Sequence, residues 1–172
     1  MAMDAFFELD GGEYEVKGES QDKEFAKVFA MEVYLVKVGA SYPSTEGAAF
    51  GSENERPQVK INEIEFTKII DNASPTLFLC CCEHTIFETG RFTFRKASGG
   101  KLPVKYLQID LTQVTIQSLD WNIHGESGGA DEETVKIAFG TYSVQYHPQT
   151  VAGAKARFNI KGWDLRNNKR YG

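Results

Sequence analysis

Gly125-Glu126-Ser127-Gly128-Gly129 matches the G-x-S-x-G pattern of a serine nucleophile elbow. That chemistry needs the serine on a sharp turn from strand into helix, with an acid and then a histidine later in the chain. Here the run continues as Ala130-Asp131-Glu132-Glu133 and then into a strand pattern, and no H-G-G-G oxyanion segment precedes it. His147 lies downstream, but one histidine and a nearby acid meet that order by chance in most proteins. The run reads as a glycine-rich hairpin loop. His84, His124 and His147 share no metal-ligand spacing such as H-x-x-x-H, and Asp131-Glu132-Glu133 lacks the EF-hand pattern. Cys80-Cys81-Cys82 are contiguous, so they cannot supply tetrahedral ligands as C-x-x-C pairs do. Their odd number argues against a disulfide framework. Reduced thiols on or beside a short helix are expected. No phosphate-binding glycine loop precedes a helix. No catalytic residue, metal site or cofactor is therefore assigned, and the chain is expected not to be an enzyme.

The elements that carry these residues are nearly all strands. Residues 4–9 alternate, and 25–38, 58–70, 84–96, 104–118, 133–147 and 156–163 are rich in β-branched and aromatic residues. The segment 25–38 is long enough to serve two sheets. Three strands change phase midway: Val59 and Ile61 hand over to Ile64 and Phe66. Leu107, Ile109 and Leu111 hand over to Val114 and Ile116, and Val135, Ile137 and Phe139 to Tyr142, Val144 and Tyr146. A period-2 strand changes parity only through a β-bulge or by passing from one sheet to another. These handovers predict an all-β fold: a compact β-barrel of two antiparallel sheets with one short flanking α-helix at about 74–82. Ser74 is expected to cap that helix, with Pro75 at its first position, where the missing N–H costs nothing. Residues 39–57 carry small and polar residues without periodicity and are expected to form an extended loop. Long loops of this kind are usually functional.

A chain of 172 residues with charge 19 − 24 = −5 fits one domain, 1–172, large enough to fold without staples. Its acidity lacks the footprint of a nucleic-acid binder, and no apolar run has the roughly 18–20 residues of a membrane span. Asp4, Glu8 and Asp10 stand where a signal peptide would need a basic start and an apolar core. Synthesis in the cytoplasm is expected.

Several blocks together resemble the haemolysin-coregulated protein (Hcp) family, tube subunits of bacterial type VI secretion systems. Lys17-Gly18-Glu19-Ser20-Gln21-Asp22 looks like the family's G-E-S-x-D motif. Phe66-Thr67-Lys68-Ile69-Ile70-Asp71-Asn72-Ala73-Ser74-Pro75-Thr76-Leu77 is similar to its F-x-K-x-x-D-x-A-S-P-x-L segment, which leads into a single helix. Arg95 to Gly100, Tyr106 to Ile109, Ser127-Gly128-Gly129, Tyr146 to Gln149 and Gly162 to Asn168 continue the likeness in order. Residues 11–16 look longer than the family's turn, and Tyr34-Leu35-Val36 departs from its usual pattern. The resemblance implies a homohexameric ring, stacked into an exported tube with a spike protein at its tip, a contractile sheath around it and effector proteins in its pore. It also places an extended loop at 39–57, reaching toward the next ring. Tyr42 and Phe50 would be its apolar anchors, and Glu46, Glu53, Glu55 and Arg56 its orienting charges. A non-assembling β-barrel holding a ligand in its interior is the alternative, and a hydrolase built on Ser127 a third.

Overall fold

A computed structural model describes residues 3–26, 30–41, 59–98, 101–126, 128–148 and 159–171. Its longest strand, β8 (Lys101–Asn122), organises the others. The first part of β8 pairs with β7 (Ile86–Ser98) and β10 (Thr141–Tyr146), and its last part with β9 (Glu132–Ala138). The change of partner falls at the predicted change of parity. Ile109 and Leu111 are buried, then Val114 and Ile116, and between them Gln113 sits at φ 53°. Pairing with β10 stops at Thr112, and pairing with β9 starts at Thr115. A left-handed residue in a strand inserts the extra position that swaps its faces.

The second handover, between β9 and β10, falls beside the first, because the Gly140 N–H donates to the Thr112 carbonyl at 2.8 Å. The third falls between β5 (Lys60–Ile61) and β6 (Ile64–Ile69), which belong to different sheets. Ten strands form one branched antiparallel sheet, and β5 pairs with β4 (Ala40–Ser41) in a second, two-stranded one. From β8 one arm runs through β7, β1 (Met3–Asp10) and β2 (Met31–Val33). Another runs through β10, β11 (Asn159–Asp164) and β12 (Lys169–Tyr171). A third runs through β9 and β6 to β3 (Leu35–Lys37).

The arms wrap one apolar centre. The rings of Phe7 and Phe92 stack at 4.1 Å, and Phe66 meets Phe7 at 4.9 Å from the facing arm. All three are fully buried, which contributes about 1.5–3 kcal/mol each. The segment 31–37 serves two arms of the one large sheet rather than two sheets: β2 pairs with β1 and β3 with β6, with Tyr34 between. The hydrogen-bonded ladder does not close at this joint, so the barrel expectation is corrected to an open one. The 39–57 segment is likewise not all loop, since Ala40 and Ser41 are strand.

Helix α1 spans Ser74–Glu83 and buries Ser74, Leu77 and Cys80 along one face. Ser74 does not cap it. The N-cap is Ala73, and no side chain caps it there. Asp71 organises the approach instead, its Oδ1 accepting the Ala73 N–H at 2.9 Å. Ser74 is the first helical residue, with its hydroxyl turned into the protein. Pro75 therefore stands second, one place later than expected but still in the first turn, where a backbone N–H has no intrahelical partner to lose. His84 ends the helix in the left-handed conformation. Among the described residues no helix is long and apolar enough to cross a membrane.

Candidate functional site

Lys68 and Glu133 stand at core positions of their strands. In β6, Ile64, Phe66 and Lys68 share a buried face, and in β9 Glu133, Val135 and Ile137 do the same. Both charged side chains are fully buried, and β6 pairs with β9 so that Lys68 lies opposite Glu133. An unpaired buried charge is prohibitively costly, so the register delivers each ion to its partner. Lys68 Nζ donates to Glu133 Oε1 at 2.7 Å, to Asp71 Oδ1 at 2.7 Å and to the Ile69 carbonyl at 2.8 Å. The Ser74 hydroxyl donates to Glu133 Oε1 at 2.7 Å and accepts the Asp71 N–H at 3.0 Å. Trp121 Nε1 donates to the other carboxylate oxygen at 2.8 Å, and its half-exposed ring lies 5.4 Å from that of Phe78. The network ties α1 to β6, β8 and β9. Parity was the available sequence signal for it: a lysine and a glutamate, each in phase with core residues.

A second network starts from the Gly18-to-Asp22 segment. A Cβ on Gly18 would come within 2.3 Å of the Ala30 carbonyl oxygen, so the backbone there passes too close for any side chain. Ser20 Oγ donates to Glu32, and Asp22 Oδ1 accepts the N–H groups of Glu24 and Phe25. Asp22 Oδ2 takes Arg95 Nη2 at 2.6 Å, and that hydrogen bond holds the Asp22 carboxyl below the usual range. The Arg95 guanidinium also lies over Phe6 and Phe25, 4.7 and 5.0 Å from their centroids.

These residues border a groove of about 580 Å³ between β2 and the end of β6, where the ladder fails to close. Its lining holds five carboxylates (Asp4, Glu19, Asp22, Glu32 and Asp71) against one guanidinium, with Tyr34 and Ile69 supplying apolar surface. Burial and a hydrogen bond to Glu132 push the Tyr34 hydroxyl up to about 12.

The Gly125–Gly129 run connects β8 to β9, whose antiparallel pairing reaches Asn122 and Glu132, so it is a hairpin connection with no helix after it. Ser127 itself lies outside the described residues. Cys80 is buried, Cys81 partly so and Cys82 exposed; all three are free, and burial pushes the Cys80 and Cys81 thiols up. Among the described residues no group of three or more histidine, cysteine, aspartate or glutamate side chains is placed to hold a metal ion. Tyr42, Glu46, Phe50, Glu53, Glu55 and Arg56 lie outside the described residues. The segment that carries them leaves and returns through the β4–β5 pair, with Ala40 opposite Ile61 and Ser41 opposite Lys60.

Fold and site define a structural β-protein, with its buried charges committed to holding strands and helix together. Residues 6–146 match the family described as type VI secretion system effector, Hcp. The chain is 34% identical over 171 residues to Protein hcp1 of Pseudomonas aeruginosa, covering 98% of each. It resembles the structure of Hcp1 from Salmonella typhimurium with a TM-score of 0.77 at 27% identity, over 99% of this chain and 100% of that one. A structure described as a type six secretion system protein shares the fold at a TM-score of 0.83 and 24% identity, over 99% of this chain and 100% of that one. The chain belongs to the Hcp family and is a structural tube protein of type VI secretion.

Proposed function

We propose that six copies form a closed ring and that rings stack into the inner tube exported by a type VI system. The observation that carries this is the whole-chain match to hcp1, which leaves no part of either protein unaccounted for beyond a few residues. The chain is made in the bacterial cytoplasm and leaves the cell by that system. A spike protein caps the tube, a contractile sheath drives it, and effector proteins ride in its pore. Catalysis plays no part, and the buried charges serve the frame. Phe7, Phe66 and Phe92 fill the centre of each subunit, which argues against a ligand held in the interior. The 39–57 segment makes the contact between rings, through Tyr42, Phe50, Glu46, Glu53, Glu55 and Arg56. Its support is the β4–β5 pair, which holds the two ends of the segment side by side. Sedimentation and electron microscopy of the purified chain test the ring: hexamers with an open centre are expected, and a monomer from micromolar to millimolar concentration overturns it.

A further inference from the structure

One path through the sheet ends in two unlike edges. Among the described residues, β12 pairs with β11 alone, and at the far end β2 pairs with β1 alone. An edge strand carries unpaired N–H and C=O groups that invite another strand. β12 reads Lys169-Arg170-Tyr171, all exposed. Over residues 159–171, Lys161, Arg166, Lys169 and Arg170 stand against Asp164 alone, 4 − 1 = +3. The β2 edge borders the groove whose five carboxylates face one guanidinium. That guanidinium is already engaged by Asp22 and Asp4, and Asp71 is engaged by Lys68, while Glu19 and Glu32 line the groove exposed.

Like charges oppose the meeting of two β12 edges or of two β2 edges, and the unlike edges attract. A contact between two different surfaces of identical subunits is heterologous, and it builds a ring when its rotation closes. Resting on the hexameric-ring reading above, we propose that the basic β12 edge of one copy docks in the acidic β2 groove of the next. Lys169 and Arg170 meet Glu19 and Glu32, and the exposed faces of Tyr34 and Ile69 receive their aliphatic stems. The same charges that blunt β12 against its own kind select its partner.

Analytical ultracentrifugation of the full chain at low ionic strength tests this, with circular dichroism to establish that each variant is folded. Lys169→Glu with Arg170→Glu should convert hexamers to monomers, and Glu19→Lys with Glu32→Lys should do the same. All four changes together should restore the hexamer, because the charges are exchanged rather than removed. The milder pair Lys169→Gln and Arg170→Gln, at exposed positions, should weaken the ring by about tenfold or more in dissociation constant. Folded double variants that stay hexameric, a folded quadruple variant that stays monomeric, or an unchanged constant for the glutamine pair would each overturn the contact while leaving the ring intact as a reading. A monomeric wild-type chain would overturn the ring itself.

Discussion

Ser74 illustrates how far a residue's role depends on where its side chain points. As a helix cap it would be replaceable by asparagine; as a link between Asp71 and Glu133 it is not, because that site is fully buried. Ser74→Ala should cost about 1–3 kcal/mol, since it leaves buried polar groups without a partner. Ser74→Asn should not rescue it. Urea midpoints of the two variants check this, and a wild-type midpoint for asparagine would restore the capping role. Removing Lys68 should cost more, about 3–5 kcal/mol, because Glu133 is then a buried, uncompensated charge, whereas removing Glu133 leaves Lys68 paired with Asp71. Lys68→Met combined with Glu133→Gln should recover much of that loss, as measured in a double-mutant cycle. Asp22 brings a pH dependence. Its folded-state pKa lies below the ordinary 3.8, first through the hydrogen bond from Arg95, so its stabilisation is present above that value. It is lost as pH falls through the depressed folded value. The urea midpoint should therefore decline less steeply below about pH 4 in Asp22→Asn than in the wild type.

The strands depend on a few backbone positions that tolerate little change. Gln113 occupies the left-handed region at the point where β8 changes partners. Gln113→Val, which places a β-branched side chain there, should destabilise by about 1–2 kcal/mol, and Gln113→Gly should be tolerated. Gly162 lies where three strands crowd together. An added Cβ would come within 2.5 Å of both the Tyr142 and Tyr171 carbonyl oxygens, which are backbone atoms and cannot turn aside. Gly162→Ala should therefore loosen β12 from β11. Faster amide exchange confined to residues 169–171 and their partners would show it, and unchanged exchange there would contradict the crowding.

At the level of the assembly, two kinds of contact have different demands. A ring contact must be lasting and can use rigid strand edges. A ring-to-ring contact must form and release, and a loop suits it because the entropy lost on ordering offsets part of the binding energy. Deleting Thr45 to Asn54 should leave hexamers intact while abolishing stacking and export. Tubes and normal export from the deletion variant would make the segment a bland insertion.

Amino-acid order alone determined the strand periodicity, the three changes of parity and the place of the helix. These are local properties, set by which neighbours share a face. It also carried the family likeness, since the G-E-S-x-D and A-S-P segments hold residues whose partners lie elsewhere. Which partners those are was decided only by tertiary structure. Lys68 and Glu133 are 65 residues apart, as are many pairs that never meet, and only the β6–β9 register brings them together. The helix start was decided in the same way. Ser74 satisfies the local rule for capping, but the helix begins one residue earlier than that rule implies, with Ala73 as its N-cap. This places the Ser74 hydroxyl inside, where it donates to Glu133 and accepts the Asp71 N–H. The openness of the sheet has a similar origin. Alternation shows that the segment 31–37 has two faces, whereas the choice of different neighbours on either side of Tyr34 follows from packing around Phe7, Phe66 and Phe92.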